Sequence, residues 1–219
     1  MTNTFQVQKS GIIFASGLIE TIILLLLPLP FLNLNILYVV FALIIMFLSK
    51  YFRNEKWSEY GFKSISVRKL SFAILFGIVF GFADNFLIEP LLTKIVGVEP
   101  DLSTYENVKG NVNGLITLLA LGWIIGGLFE EFFFRGYLFN RIQSIIHNQL
   151  VFKIIAIGVT SIVFAFAHNY QGIAGIIGTF YFSIIMGLLY FYFNRNTWYL
   201  IVIHGFYDTV GIFRLYLDL

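Results

Sequence analysis

The chain of 219 residues contains no cysteine and few charged residues. Without cysteine it forms no disulfide, no thiolate metal site and no cysteine nucleophile. Charged residues make up 12% of the sequence and hydrophobic residues 58%, whereas a soluble domain carries about 25% charged residues. The chain has too few polar residues to form the surface of a water-soluble domain. The composition therefore predicts an integral membrane protein.

Basic residues are too scattered to form a nucleic-acid groove, and the net charge is only +2. We therefore expect no nucleic-acid partner. The sequence shows no internal repeat and no loop much longer than about twenty residues. We expect residues 1–219 to form a single domain embedded in membrane lipid.

Seven apolar segments are long enough, or nearly long enough, to cross a bilayer as helices. Backbone polar groups cannot stay unpaired in hydrocarbon, so helices are the expected structure of such runs. No alternation of apolar and polar residues indicates a barrel. The sequence predicts an all-α polytopic bundle of about seven transmembrane helices, with eight as the alternative. The predicted segments are 11–29, 34–48, 70–92, 115–139, 154–168, 175–193 and 198–216.

The distribution of Lys and Arg predicts the orientation of the bundle. The loop after the second segment carries Lys50, Arg53, Lys56, Lys63, Arg68 and Lys69. Placing this loop in the cytoplasm puts ten basic residues inside and three outside. We therefore expect a cytoplasmic N-terminus. The first segment contains Glu20 and no cleavage site follows it, so we interpret it as a retained helix. The abundance of Phe, Ile and Asn favours a bacterial plasma membrane.

Ionisable residues within spanning helices are energetically costly and are functional candidates by default. Glu20 and Asp84 stand alone, and we interpret each as a structural hydrogen-bonding group. Glu89 precedes Pro90 and is placed to reach the outer interface. The remaining candidates cluster on the fourth, fifth and seventh segments. They are Glu130, Glu131, Arg135, His168, His204 and Asp208.

Helix geometry places these candidates at similar depth. The fourth and fifth segments form an antiparallel hairpin that turns near position 148. Glu130 lies 18 residues before that position and His168 lies 20 residues after it, roughly 27–30 Å from the turn in each case. His204 lies a few residues into the seventh segment from the cytoplasmic side. We therefore expect one polar pocket, in the cytoplasmic half of the bundle, that holds all six residues.

Two carboxylates, two imidazoles and a guanidinium are suited to activating water. We expect Glu130 to accept a proton from a water molecule that His168 orients. His204 would donate a hydrogen bond to a developing oxyanion, a contribution of about 3–4 kcal/mol. Arg135 follows Glu131 by four residues, on the same helix face, and would hold it ionised. No serine or threonine is paired with a base in this set, so a covalent nucleophile is less favoured.

Two other interpretations of the same residues stay open. Glu130, His168 and His204 are donor types that zinc accepts, although the HExxH pattern of many zinc enzymes is absent. We expect no required cofactor, with zinc as the alternative. The six residues would otherwise form a buried ion-pair network that only holds helices together.

Three motifs then occur in order along the apolar segments. Residues 130–135, EEFFFR, resemble EExxxR. Phe164 and His168 resemble FxxxH, and His204 and Asp208 resemble HxxxN/D. These are the motifs of the CAAX protease and bacteriocin-processing family (CPBP, also called Abi), and the resemblance points to its bacterial branch. The first three segments are not diagnostic.

The resemblance covers residues 114–210, which would be the catalytic core. It implies a family of intramembrane endopeptidases of the glutamate type. Carried over residue by residue, it implies Glu130 as the base and His168 as a helper in activating water. His204 and the residue at position 208 would form the oxyanion hole, supported by Glu131 and Arg135. The prenyl-protein proteases have Asn at the last motif position. Asp208 must therefore be protonated to donate to an oxyanion, or else orient His204.

The sequence therefore predicts an intramembrane endopeptidase that cuts a hydrophobic or lipidated peptide or a membrane protein. The alternative is a bacteriocin-immunity or scaffold protein that binds a peptide or partner helix without cutting it. A proton-coupled transporter is less favoured, because repeated halves are absent.

Overall fold

The computed structural model describes residues 16–32 and 37–219. The first residues of the predicted opening segment, Lys9 and the start of the second segment lie outside this part. Long helices account for most of it, and no strand occurs among the described residues. They are α1 (Ser16–Leu26), α2 (Leu37–Arg53), α3 (Val67–Val96), α4 (Val112–Ile145), α5 (Gln149–Ala167), α6 (Gly172–Tyr192) and α7 (Thr197–Leu217). Short 3₁₀ helices occupy Pro30–Leu32, Trp57–Tyr60, Ser103–Val108 and Asn169–Gln171.

Five helices in the described residues, α3 to α7, are long and apolar enough to cross a membrane. The all-α, multi-pass class is thereby confirmed. Helix α2 has only 17 residues, and the described part of α1 is shorter still. Within the described residues, α1 is shorter than a span through lipid needs, and α2 lies at the lower limit of about 17 residues.

Asparagine side chains determine where three of the spanning helices begin. The side-chain oxygens of Asn111, Asn148 and Asn196 accept hydrogen bonds from backbone N–H groups in the first turns of α4, α5 and α7. These N–H groups have no partner within the helix, and an Asn cap stabilises a helix start by about 1 kcal/mol. The α4–α5 hairpin therefore turns between Ile145 and Gln149, where the sequence predicts it.

Helix α4 is longer and wider than the sequence predicts. It continues to Ile145 rather than ending at position 139, because Arg141 is buried against other protein groups with only 2% of its surface exposed. Its stretch Gly122–Leu138 is a π-helix, in which the N–H of Phe139 binds the carbonyl oxygen of Phe134, five residues earlier. Such turns are rare and often occur at functional sites.

Helices α3 and α7 touch directly at two glycines of α3. A Cβ atom added at Gly77 would lie 2.6 Å from the carbonyl oxygen of Ile203, and one added at Gly81 would lie 2.9 Å from the Val210 Cβ atom. Only a residue without a side chain permits this approach. Because His204 follows Ile203, the contact fixes the part of α7 that carries a candidate residue.

The two ends of the bundle are built differently. We call the end formed by residues 54–66, 146–148 and 193–196 the basic end, and the end formed by residues 97–111 and 168–171 the opposite end. At the basic end the chain packs tightly across α7. The Thr197 hydroxyl donates to the Tyr60 carbonyl oxygen over 2.8 Å, and the Thr197 N–H to the Gly61 carbonyl oxygen over 2.9 Å.

A buried polar network near the basic end joins α1, α4 and the loop after α2. We call it the Arg141 cluster: Arg141, Glu20, Glu55, Tyr60 and Tyr137. The Arg141 Nε atom donates to Glu20 Oε1 over 3.2 Å, and Nη1 donates to Glu55 Oε1 over 2.6 Å. Tyr137 donates to Glu20 and Tyr60 to Glu55. Glu20 therefore has the structural role that its isolated position in the sequence suggests.

Hydrogen bonds within this cluster favour the ionised form of Glu55. Burial alone would raise the pKa of Glu55, but hydrogen bonds from Arg141 and Tyr60 outweigh burial and hold the pKa below its usual range. Glu55 therefore stays ionised at neutral pH and anchors the loop after α2 to α4.

Candidate active site

An ion pair and a histidine form the buried base of the site. The Arg135 Nη1 atom lies 3.0 Å from Glu131 Oε1, and the His204 Nδ1 atom lies 2.8 Å from the same oxygen. The side chains of Glu131 and Arg135 are fully buried, and that of His204 is 5% exposed. Arg135 Nη2 also donates to the Ser183 hydroxyl over 2.7 Å. Glu131, paired with Arg135, accepts a hydrogen bond from His204 Nδ1–H and so fixes the orientation of the ring.

The other ring nitrogen of His204 faces two further carboxylates. Its Nε2 atom lies 4.0 Å from Glu130 Oε2 and 3.6 Å from Asp208 Oδ1. Both distances exceed that of a hydrogen bond. Within the part of the chain that the structure describes, the Glu130 side chain accepts no hydrogen bond, although it is only 10% exposed. The two neighbouring glutamates thus differ, because Glu131 is bonded and Glu130 is free to accept a proton.

His168 is the residue that follows the last turn of α5. Its Nδ1 atom lies 2.8 Å from the Phe164 carbonyl oxygen. A carbonyl oxygen only accepts, so Nδ1 carries the proton and Nε2 of the neutral ring is an acceptor. The Phe164 ring packs on the imidazole, with 4.5 Å between ring centroids. The FxxxH spacing thus supplies both the hydrogen bond and the packing that orient His168.

The phenylalanines of EEFFFR connect the first two motifs. The ring of Phe134 meets that of Phe164 edge-on, with 5.2 Å between their centroids. The Arg135 guanidinium lies over Phe164 at 5.3 Å from the ring centroid, a cation–π contact. Phe164 therefore contacts the ion pair on one side and His168 on the other, and it holds α5 against α4.

A cavity of about 400 Å³ extends from these residues. Glu130, His168, His204 and Asp208 line it, whereas Glu131 and Arg135 lie behind its wall. The structure therefore brings four of the six predicted residues to one cavity and places the other two in support. A Cβ atom added at Gly126 would lie only 2.5 Å from Asp208 Oδ2. The missing side chain at this position keeps the space beside Asp208 and His204 open.

The cavity extends in a direction that the sequence does not predict. From Glu130 and His204 the cavity runs to the opposite end of the bundle, where Leu102, Tyr105 and Tyr170 line it. No residue of the basic end lines it. The sequence predicts a pocket in the half next to the basic loop. The depth of a residue along its helix does not show which end of the bundle is closed by packing, so the direction of the cavity could not be predicted.

Several polar residues of the cavity wall were not predicted as site residues. Tyr207 donates to Asp84, and both line the cavity. The Tyr207 ring packs on Phe182, which also contacts His204 at 4.8 Å between centroids. Asp84 has the structural hydrogen bond that we expect, but its place at the cavity could be inferred only from its costly position in α3. Tyr207 gives no signal in the sequence beyond its position within the third motif.

An ion pair lies on the cavity wall nearer the opposite end. Arg214 Nη1 is 2.8 Å from Glu89 Oε1, and both side chains are 23% exposed. The sequence predicts that Glu89 reaches the outer interface, and it does not predict this pairing.

The described residues, 16–32 and 37–219, contain no group of three His, Cys, Asp or Glu side chains arranged as metal ligands. The alternative zinc site of Glu130, His168 and His204 therefore has no geometric support in this part of the chain.

The fold and the site together define an all-helical, multi-pass membrane protein with a glutamate–histidine centre between its helices. Residues 112–210 match the family model described as Type II CAAX prenyl endopeptidase Rce1-like. The domain at residues 112–210 is thus of the CPBP family, a family of proteases. The resemblance seen in the three motifs is confirmed, and the matched range contains all of them. Neither the curated proteins nor the solved structures include a significant match to this chain.

Proposed function

We propose that the chain is an intramembrane endopeptidase that hydrolyses a peptide bond with a water molecule activated by Glu130 and His168. The observation that carries the proposal is the contrast between the two adjacent glutamates. Glu131 is bonded to Arg135 and His204, while Glu130 faces the cavity without a hydrogen bond from the described residues. A carboxylate held in this way is available as a general base.

In the first step Glu130 accepts one proton of the water molecule, and His168 Nε2 accepts a hydrogen bond from the other. The water oxygen forms a bond to the carbonyl carbon of the substrate, and the electron pair of the C=O bond moves to its oxygen. His204, whose Nδ1–H is directed to Glu131, donates from Nε2 to this oxyanion when the ring is doubly protonated. One such donor contributes about 3–4 kcal/mol where water is excluded.

In the second step Glu130 returns the proton to the departing amine nitrogen. The C–N bond breaks, and the carbonyl re-forms as a carboxylic acid that loses its proton. Asp208 lies 3.6 Å from His204 Nε2, and as an ionised carboxylate it cannot donate to an oxyanion. We therefore assign Asp208 to the positioning of the His204 ring.

The cavity wall supports a hydrophobic substrate. Between the polar centre and the opposite end, the lining includes five aliphatic side chains beside the Glu89–Arg214 pair: Leu118, Leu121, Ile125, Ile212 and Leu215. These side chains favour the apolar residues of a peptide or a lipid group attached to it. A hydrophobic or lipidated peptide, or a segment of a membrane protein in a bacterial plasma membrane, is the substrate class that we propose.

The test is comparative peptidomics of cells that carry the native chain, Glu130→Gln or Glu99→Gln. Glu99 is an exposed carboxylate of the opposite end and serves as the matched control. We expect the product peptides to disappear with Glu130→Gln and to persist with Glu99→Gln, at equal expression. Products that persist with Glu130→Gln would overturn the role of Glu130. If the cellular phenotype persists with Glu130→Gln and no product peptide depends on the native chain, the chain is a binding or immunity protein instead.

A second measurement addresses the metal. We propose that no metal is required, so a chelator should leave the hydrolysis by purified protein unchanged. Loss of activity with the chelator, restored by zinc, would instead support the alternative site of Glu130, His168 and His204.

A further inference from the structure

The cavity has a direction that the proposed reaction does not require. Its lining includes Glu130 and His204 and continues along α7 to Leu215. His204 and Leu215 are 11 residues apart, or about 16 Å along the helix. Since an extended peptide rises about 3.3 Å per residue, roughly five substrate residues span this length.

Among residues 16–32 and 37–219, none from the basic end lines this cavity. The 3₁₀ helix Trp57–Tyr60 lies across that end, with Tyr60 fully buried. The Asn196 amide donates to the Ser64 carbonyl oxygen over 2.9 Å, and Tyr60 and Gly61 bind Thr197. A peptide that approached the basic end would meet this packed layer, so the opposite end is the route to Glu130.

The distribution of basic residues indicates which end of the bundle faces the cytoplasm. Among the described residues, the basic end and the helix turns next to it carry Lys50, Arg53, Lys56, Lys63, Arg68, Lys69, Arg141, Lys153 and Arg195. The opposite end and its adjoining turns carry Lys94, Lys109 and Arg214. Cytoplasmic loops of membrane proteins are enriched in Lys and Arg. The basic end is therefore cytoplasmic, and the opposite end faces away from the cytoplasm.

From these two observations we infer that the catalytic cavity opens to the extracytoplasmic side and receives its substrate there. The inference rests on the proposed function and narrows its substrate class. The substrate is a hydrophobic peptide segment already translocated or exposed at the outer face, with about five extended residues entering the cavity. A peptide confined to the cytoplasm would not reach Glu130.

Because the chain has no cysteine, single cysteines introduced into it report the side of the membrane directly. Thr104→Cys places a thiol in the 3₁₀ helix of the opposite end, and Ser58→Cys places one in the 3₁₀ helix of the basic end. Both native residues are exposed, so the two variants form a matched pair. Intact cells are treated with a membrane-impermeant maleimide, and permeabilised cells give the full labelling of each position.

We expect Thr104→Cys to reach at least ten times the fractional labelling of Ser58→Cys in intact cells, and both to label fully after permeabilisation. Labelling of Ser58→Cys in intact cells overturns the inference, as does protection of Thr104→Cys there. The labelling needs no catalysis and is repeated in the Glu130→Gln background. A failure of the inference is therefore distinguishable from a failure of the proposed function.

A third variant tests whether the opening is the route of the substrate. Leu102 lines the cavity at the opposite end. Treating intact cells that carry Leu102→Cys with the same reagent should reduce product formation at least tenfold. Cells that carry Ser58→Cys should keep their full activity. Unchanged activity at full labelling of Leu102→Cys would show that the substrate uses another path.

Discussion

Two buried arginines of one helix differ in their surroundings, and the comparison separates a structural ion pair from that of the candidate active site. Arg135 and Arg141 lie on α4, with 0% and 2% of their surfaces exposed. Arg141 binds two carboxylates and two tyrosines. Arg135 pairs with a single carboxylate, that of Glu131, and otherwise donates to Ser183.

The difference lies in the carboxylates near each arginine. Both glutamates of the Arg141 cluster receive hydrogen bonds from Arg141 and from a tyrosine. Near Arg135, Glu130 is left facing a cavity, 4.0 Å from His204 Nε2. A buried charge therefore does not identify a catalytic group by itself. The distinguishing feature is an acceptor that remains free beside a cavity and next to bonded neighbours.

The largest expected effect is a loss of activity in Glu130→Gln that Glu20→Gln does not share. Glu130→Gln removes the proposed base, and we expect product formation per amount of folded protein to fall by about a thousandfold. The midpoint of thermal unfolding should stay within a few degrees, because no hydrogen bond is lost. Glu20→Gln should do the reverse and lower the midpoint while the folded fraction stays active. Equal losses of activity in both variants would remove the distinction between the two clusters.

Arg141→Met should give the largest loss of stability. It leaves the carboxylates of Glu20 and Glu55 buried without their main partner, a change that costs about 3–5 kcal/mol. The fraction folded in detergent as a function of denaturant measures this loss. Arg53→Met is the control, because Arg53 is 21% exposed and pairs with Glu20 only at the edge of the cluster. A loss of unfolding free energy no greater than that of the control would show that the Arg141 cluster does not stabilise the fold.

Gly126→Ala should reduce activity with little change in stability. The added Cβ atom would lie 2.5 Å from Asp208 Oδ2 and 3.4 Å from His204 Nε2. The end of the Asp208 side chain can move away at little cost, but a misplacement of about 1 Å at a site lowers rates by roughly a hundredfold. Gly158→Ala in α5 is the matched control, since nothing lies within 4 Å of its added Cβ atom. Full activity in Gly126→Ala would argue against a role for the Asp208–His204 geometry.

The smallest expected effect concerns pH and the Arg141 cluster. The pKa of Glu55 is lowered in the folded protein, so the stability that its ionisation contributes is fully present above the unfolded pKa, about 4.3. It is lost as the pH falls through the folded pKa. We expect Glu55→Gln to be less stable than the native chain at pH 7 by roughly 1 kcal/mol. The gap should narrow in thermal unfolding at pH 4 and below, and a gap that widens there would contradict the assignment.

The apolar runs and the three motifs were enough to predict the fold class and the family. They also led to the residues that the structure gathers around His204, because charged groups in lipid stand out by their cost. The π-helical stretch Gly122–Leu138 of α4 could not be predicted from the sequence, since π and α turns use the same residue types. The Arg141 cluster could not be predicted either. Glu55 and Tyr60 lie in a loop that no periodic pattern ties to α4.

The direction of the cavity escaped prediction for a related reason. Which end of a bundle is sealed depends on contacts between distant segments, such as Tyr60 with Thr197. Counting residues along each helix gives the height of a side chain but not the shape of the space around it. The prediction of six converging residues and the failure to predict the direction of the cavity therefore come from the same argument, which counts residues along single helices.

Because Gly77 contacts the backbone of Ile203, a substitution on α3 can change the position of His204, the proposed oxyanion donor. A single methyl group added on α3 would push the neighbouring backbone of α7 and shift His204 relative to α4, without altering any reacting group. A series of Gly77 substitutions of increasing side-chain size would change the distance between His204 and Glu130 in steps. This position is therefore a starting point for engineering slower or altered cleavage while the chemistry stays intact.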